Sequence, residues 1–256
     1  MARTVFRAGQ ALLVFYPLQM SAFVLLVLLS AAQSGCSPQA TQRLKDAAVR
    51  AAEFDLRGAS AALDTDGVQG CEAAQVAMLY VRGLIYAEEA FKQGGPPESL
   101  APVRQAMASL EAIARGRPGS AAIARLVLQA AAAAAQSERD EMSLYLESAV
   151  QMEWLQRAAG QPGAPVVSAA EAAGDLWLQL HGYDAARRAF LDAEKRVGST
   201  ARVLAGVAHS AERLGDVPAA CRAFRRLLDS WGSTPAAPLP IAEARTYVAG
   251  CPPTNP

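Results

Sequence analysis

Two nearly identical six-residue runs dominate the interpretation of this sequence. Residues 185–190 read Ala-Ala-Arg-Arg-Ala-Phe, and residues 219–224 read Ala-Ala-Cys-Arg-Ala-Phe, at an offset of 34 positions (219 minus 185). A period of this size is typical of a structural unit that packs on a copy of itself. The runs therefore predict two neighbouring units in which matched positions have matched roles.

Composition and periodicity predict that these units, and the rest of the chain, are helical. Much of the 52% apolar content is alanine, the strongest helix former, and aromatic residues make up only 6%. Between turn-forming clusters, apolar residues recur three and four positions apart, whereas no segment alternates with a period of two. We therefore expect no sheet and helices at about 40–63, 71–93, 97–115, 119–136, 138–159, 166–180, 183–197, 200–214, 217–231 and 238–249.

The beginning of the chain has the composition of an export signal. Arg3 and Arg7 precede an uncharged and mostly apolar stretch over residues 11–32. In such segments the apolar helix enters the bilayer while the basic residues stay in the cytoplasm. We therefore expect the rest of the chain to be exported.

The segment ends in Ser34-Gly35-Cys36, which resembles the lipobox of bacterial lipoprotein signal peptides, with Gln33 as a departure from that pattern. The resemblance implies a lipid on Cys36 and, with Ser37 next, the periplasmic face of the outer membrane if the source is a diderm bacterium. Two alternatives are an uncleaved anchor, because the 22 residues of 11–32 are enough to span a membrane, and a soluble secreted product.

Aligned on their period, the two units resemble tetratricopeptide repeats, which are helix-turn-helix units of this length. The matching small and bulky positions are Gly174, Trp177, Tyr183, Ala186, Phe190 and Ala193 in the first unit, and Ala208, Gly215, Ala220 and Phe224 in the second. The resemblance implies an all-α, tetratricopeptide-like array of helical hairpins (an α-solenoid) preceded by an N-terminal signal or anchor helix.

This interpretation divides the chain into five parts. We expect a signal peptide or membrane anchor at 1–35, a linker and N-terminal helix at 36–70, degenerate helical hairpins at 71–165, two tetratricopeptide-like repeats at 167–234, and a capping helix and tail at 235–256. About three units are needed to bury a continuous core, so the degenerate hairpins are expected to complete the stack.

The family binds peptides or helices in a concave groove lined by the first helix of each unit. The resemblance implies the groove residues Glu171, Asp175, Gln179, Arg202, His209, Glu212 and Arg213. The alternative is that these side chains form an ordinary solvated polar face. The Lys/Arg/Asn cluster with which one branch of the family holds a C-terminal carboxylate is missing.

The four cysteines divide into one lipid candidate, Cys36, one possible disulfide, Cys221–Cys251, and Cys71, which is expected to be unpaired. The disulfide suits an oxidising compartment, although Cys221 is equally well interpreted as a small buried residue.

Catalytic and metal-binding patterns are missing from the sequence. The two histidines lie in no metal-ligand spacing, and no nucleophile or phosphate-binding motif occurs, so we expect no enzyme, no cofactor and no metal. Basic and acidic residues balance at 24 each, which argues against nucleic acid.

The sequence therefore predicts a non-catalytic scaffold for protein–protein interaction, tethered to the bacterial cell envelope through its N-terminus. Its expected partner is another envelope protein or a peptide. The alternative is an accessory helical lipoprotein that binds a small ligand or a substrate-binding protein of a transport system.

Overall fold

A computed structural model describes residues 35–64, 68–116, 119–231 and 239–252. Within these residues the chain is all helical and has no strand, which confirms the predicted all-α class. The helices are α1 (Pro38–Ala52), α2 (Leu56–Leu63), α3 (Glu72–Lys92), α4 (Ala101–Gly116), α5 (Ser120–Ala135), α6 (Arg139–Ala158), α7 (Ala169–Gln179), α8 (Tyr183–Val197), α9 (Ala201–Arg213), α10 (Val217–Trp231) and α11 (Leu239–Ala249), with a short 3-10 helix at Pro97–Leu100.

The predicted helix at 40–63 is wrong, because this stretch forms two helices. The backbone turns at Phe54, whose φ of 66° is left-handed. Asp55 then starts α2, since its side chain accepts a hydrogen bond from the Gly58 N–H at 2.7 Å. An aspartate at this position is a favourable N-cap, so the sequence did contain the signal for the break.

Helices that follow one another in the chain pack on one another. From α7 to α11 each helix contacts the next, and α7 also contacts α9. Towards the N-terminus, α3 contacts α4 and α5, and the α1–α2 hairpin lies against α3. Short connections between packed neighbours are typical of helical hairpins.

Phe190 on α8 is the bulky side chain that joins α7 to α9. It is fully buried. A Cβ added to Gly174 on α7 would lie 2.5 Å from the Phe190 ring, and one added to Gly206 on α9 would lie 2.3 Å from it. The ring therefore fills the space that two glycines leave open, and the three helices come close together because neither glycine has a side chain.

The other contact residues predicted from the repeat are mostly buried. Ala186, Ala193, Ala208, Ala220 and Phe224 are all buried, whereas Trp177 and Tyr183 are half-buried. Gly215 is exposed and has a φ of 74°, which suits its predicted place in the turn between α9 and α10.

The C-terminal helix α11 is fastened to α10 covalently and through aromatic rings. A disulfide joins Cys221 on α10 to Cys251, just after α11. The rings of Phe224 and Tyr247 lie 4.7 Å apart, and the Ile241 side chain of α11 is buried. The structure therefore joins the two cysteines that the sequence singled out as a possible pair.

The structure corrects two expectations for the remaining cysteines. Cys36, just before α1, forms a disulfide with Cys71, which lies at the start of α3. The prediction that Cys71 is unpaired is wrong. A sulfur atom in a disulfide cannot also form the thioether of a lipid, so the expected lipidation of Cys36 is incompatible with this bond.

The predicted signal segment, residues 1–35, lies outside the described residues except for Gly35. Among the helices that the structure describes, none combines the length and the apolar character needed to cross a membrane.

Candidate functional site

The predicted groove residues lie on α7 and α9, and the structure divides them into two groups. Glu171, Asp175 and Arg202 lie together next to the α1–α2 hairpin, whereas His209 and Glu212 lie next to α11. Gln179 is half-buried and Arg213 is exposed. In the first group Glu171 and Arg202 are buried by the fold itself, whereas the Asp175 side chain is 35% exposed. These two buried residues require a different interpretation from the second group.

Glu171 connects the beginnings of α7 and α9. One carboxylate oxygen accepts hydrogen bonds from the Ser168 N–H at 3.1 Å and the Ser168 hydroxyl at 2.8 Å. The other oxygen accepts a hydrogen bond from the Thr200 hydroxyl at 2.6 Å. Ser168 and Thr200 are the N-cap residues of the two helices, so Glu171 sets their spacing. The prediction that Glu171 faces a partner is wrong, because the side chain is buried and both oxygens are bonded.

Arg202 is buried at the centre of the first group, with 7% of its surface exposed. Its Nη1 donates to Asp175 Oδ2 at 2.6 Å, and its Nη2 donates to the Ala51 carbonyl oxygen at 3.0 Å. The Arg202 Cζ lies 4.8 Å from the centre of the Phe54 ring. The chain's own turn between α1 and α2 therefore covers Arg202, where the sequence predicted an open groove.

Burial and charge act in opposite directions on this ion pair. Burial raises the pKa of the Asp175 carboxyl above its usual value, against the opposing effect of the neighbouring Arg202. Burial alone would lower the pKa of Arg202, but the carboxylates of Asp175 and Glu171 more than compensate and raise it. Arg202 consequently carries its positive charge inside the fold, where a positive charge needs acceptors.

Tyr80 extends the buried polar region to α3. The side chain is fully buried, and its hydroxyl donates a hydrogen bond to the Val167 carbonyl oxygen at 3.1 Å. Burial raises the pKa of this hydroxyl well above its usual value, so Tyr80 remains a neutral donor. The bond fixes the segment that leads into α7, as expected for a tyrosine that packs inward.

The second group is centred on His209, which lies between two carboxylates. Its Nδ1 is 3.4 Å from Glu212, and its Nε2 is 3.5 Å from Glu243 on α11. The ring meets Phe224 edge-on at 5.2 Å. The two carboxylates are at opposite ring nitrogens and do not converge on one point. Within the described ranges, no three His, Cys, Asp or Glu side chains are placed to hold a metal ion.

Glu153 on α6 is a buried carboxylate that the sequence did not single out. It accepts hydrogen bonds from the backbone N–H groups of Ala164 at 2.9 Å and Ala169 at 2.8 Å, and Arg157 lies 3.1 Å away. The side chain thereby holds the connection between α6 and α7 in place. The two backbone groups that it binds are 11 and 16 positions away, beyond the range of helical periodicity.

Replacing Glu153 with alanine is expected to lower the free energy of unfolding by about 2–3 kcal/mol, because two buried N–H groups lose their acceptor. Urea unfolding of the full chain measures this loss. Glu147→Ala, on the exposed side of the same helix, is the control and should change the free energy by less than about 0.5 kcal/mol. Equal losses for both variants would contradict the assigned role of Glu153.

The chain matches no protein-family model, no curated protein and no solved structure among those compared.

Proposed function

We propose that this chain is an exported, non-catalytic interaction protein, built as a tetratricopeptide-like array, that binds another envelope protein or a peptide along α7 and α9. The observation that carries the proposal is the burial of the matched phenylalanine in both units, with glycines on two neighbouring helices against the first of them. Phe190 packs on Gly174 and Gly206, and its counterpart Phe224 is buried as well. Such contacts are what the family uses to stack one helical hairpin on the next.

The two disulfides support the proposed export. Disulfides persist in oxidising compartments, and all four cysteines of the sequence take part in one. Because the sulfur of Cys36 is bonded to Cys71, we propose that the apolar segment 11–32, and not a lipid on Cys36, tethers the chain. The array then lies on the periplasmic side of the bacterial envelope.

Counting thiols in the membrane-bound protein tests this arrangement. A maleimide-polyethylene glycol reagent, applied after denaturation without reductant, should add no label to the proposed form and four labels after reduction. A chain with a lipid on Cys36 and the Cys221–Cys251 bond would show one label before reduction, on Cys71, and three after it. The second result would end the proposed tether.

Position-specific crosslinking tests the binding surface. A photo-crosslinking residue at Arg213, which is exposed on α9, should capture a defined envelope protein in living cells. The same residue at Arg188, which is exposed on α8, serves as the control and should not capture it. Identical products from both positions, or none from Arg213, would contradict a binding surface along α7 and α9.

One observation favours the alternative of a small ligand. An open cavity of about 420 Å³ lies beside the Cys36–Cys71 bond, and its volume falls within the range of ligand sites. Leu63, Val68 and Met78 are its larger apolar lining residues. A ligand bound there should raise the melting temperature of the wild type and not of Met78→Trp, which narrows the cavity.

A further inference from the structure

The end of α1 contains an unusual residue for its backbone conformation. Phe54 donates its N–H to the Ala51 carbonyl at 3.0 Å, and Asp55 donates to the Arg50 carbonyl at 2.8 Å, which is the hydrogen-bond pattern of a Schellman motif. Phe54 has a φ of 66°, the left-handed conformation that usually requires glycine. A residue with a side chain is disfavoured there, so the phenylalanine must be favoured by other contacts.

Those contacts are with Arg202. The ring lies over the guanidinium, 4.8 Å from its Cζ to the ring centre, which is the geometry of a cation–π interaction. The Ala51 carbonyl, one of the last of α1, accepts from Arg202 Nη2 at 3.0 Å. A helix C-terminus carries partial negative charge, so a buried arginine is a suitable partner for it. Arg202 thus recognises two features, the end of a helix and the aromatic residue that follows.

The contact leaves one donor of Arg202 unused. Among the described residues, the buried Nε–H has no hydrogen-bond acceptor. A buried donor without an acceptor costs free energy, which a segment that supplied a further carbonyl oxygen would recover. The present occupant therefore leaves this donor of the site unsatisfied.

The apolar surface that α1 buries is also small. Its buried residues are Ala40, Leu44, Ala47, Ala48 and Ala51, so one leucine provides most of the apolar surface that α1 covers. Stabilisation by burial follows apolar area, and alanine contributes little. Because α1 packs chiefly on α2 and α3, only the turn at residues 50–54 meets Arg202 and has to move for the site to open.

We infer that Arg202 is the receptor for the C-terminal end of a partner helix followed by an aromatic residue, and that residues 50–54 occupy this site in cis until such a helix displaces them. The inference rests on the proposed function, because the partner is the protein bound along α7 and α9. It adds the chemistry by which that partner is recognised.

A peptide-binding measurement on the full chain with intact disulfides tests the inference. The probe is a fluorescent synthetic peptide with the sequence of residues 38–56, which contains α1, its carbonyl end and the phenylalanine. The Phe54→Ala variant of the protein removes the ring in cis but keeps a side chain in the left-handed conformation, so the turn loses its ring contact with Arg202 without any relief of strain. Because the site is then open more often, we expect the probe to bind this variant about tenfold more tightly than the wild type.

Two controls establish which features are recognised. A probe with alanine in place of its phenylalanine should lose the gain in affinity. The double variant Phe54→Ala/Arg202→Lys should lose it too, because lysine keeps the charge but not the planar group that stacks on a ring. Circular dichroism checks that both variants remain helical.

The results of these measurements distinguish a failure of the inference from a failure of the proposed function. Equal affinity of the probe for wild type and Phe54→Ala, or no effect of either control, would overturn the inference. Dimers of Phe54→Ala in sedimentation, formed by exchange of the α1–α2 hairpin, would assign the site to a second copy of this chain and would also overturn it. The crosslinking from Arg213 tests the proposed function independently, since it does not involve the Arg202 site.

Discussion

Replacing Phe190 with alanine is expected to lower the free energy of unfolding by about 3–5 kcal/mol, because a large ring is lost from the interior. The ring is fully buried and lies against Gly174 and Gly206 on two different helices. Glycines have no side chain that can move into the space left by the ring. The cavity therefore remains, and α7 and α9 lose their common contact.

Urea unfolding of the full chain, followed by circular dichroism, measures this loss. Leu191→Ala is a matched control on the same helix, because Leu191 is 38% exposed. It should cost far less than Phe190→Ala. A loss below about 1 kcal/mol for Phe190→Ala would mean that the ring does not hold the two units together, and the proposed array would lose its main support.

Removing the Cys221–Cys251 bond by a double substitution to serine is expected to cost about 3–4 kcal/mol, since the bond closes a loop with a sequence separation of 30 residues. The cross-link restricts the unfolded chain, and α11 has few buried residues that could replace its effect. Ile241 and Ala244 are its buried side chains among the described residues.

Hydrogen exchange shows whether loss of the Cys221–Cys251 bond destabilises α11 alone or the whole chain. In the double serine variant, the amides of α11 should exchange much faster, whereas those of α3 and α5 should keep their protection. Wild-type protein treated with a dithiol reductant is the comparison, and it should also show faster exchange near Cys71. Unchanged exchange in α11 without its disulfide would show that aromatic packing between Phe224 and Tyr247 is sufficient to hold it.

The helices and the residues of their contacts could largely be predicted from the sequence, because both depend on local spacing. Periodicity identifies the buried side of a helix, and the 34-residue offset between the two runs relates Phe190 to Phe224. Gly206 was missed since a glycine inside a helix is usually a weak point, whereas here it makes room for a ring. The break at Phe54 was missed because alanine continues on both sides of it.

The site could be predicted only in part, because the exposure and the partners of its side chains depend on contacts between residues far apart in the sequence. Local spacing is enough to place the predicted groove residues on α7 and α9. Nothing local indicates that Arg202 bonds to Ala51, which is 151 positions away. The same holds for the pairing of Cys36 with Cys71. A repeat pattern therefore places residues on helices more reliably than it indicates what covers them.

The Cys36–Cys71 bond has a consequence for any ligand of Arg202. It closes a covalent ring around the α1–α2 hairpin, so the hairpin stays near the site even when its turn has left it. A segment held in this way acts as a competitor whose effective concentration is on the order of millimolar. Only a partner that binds the site much more tightly than residues 50–54, or is itself concentrated at the membrane, can keep it occupied.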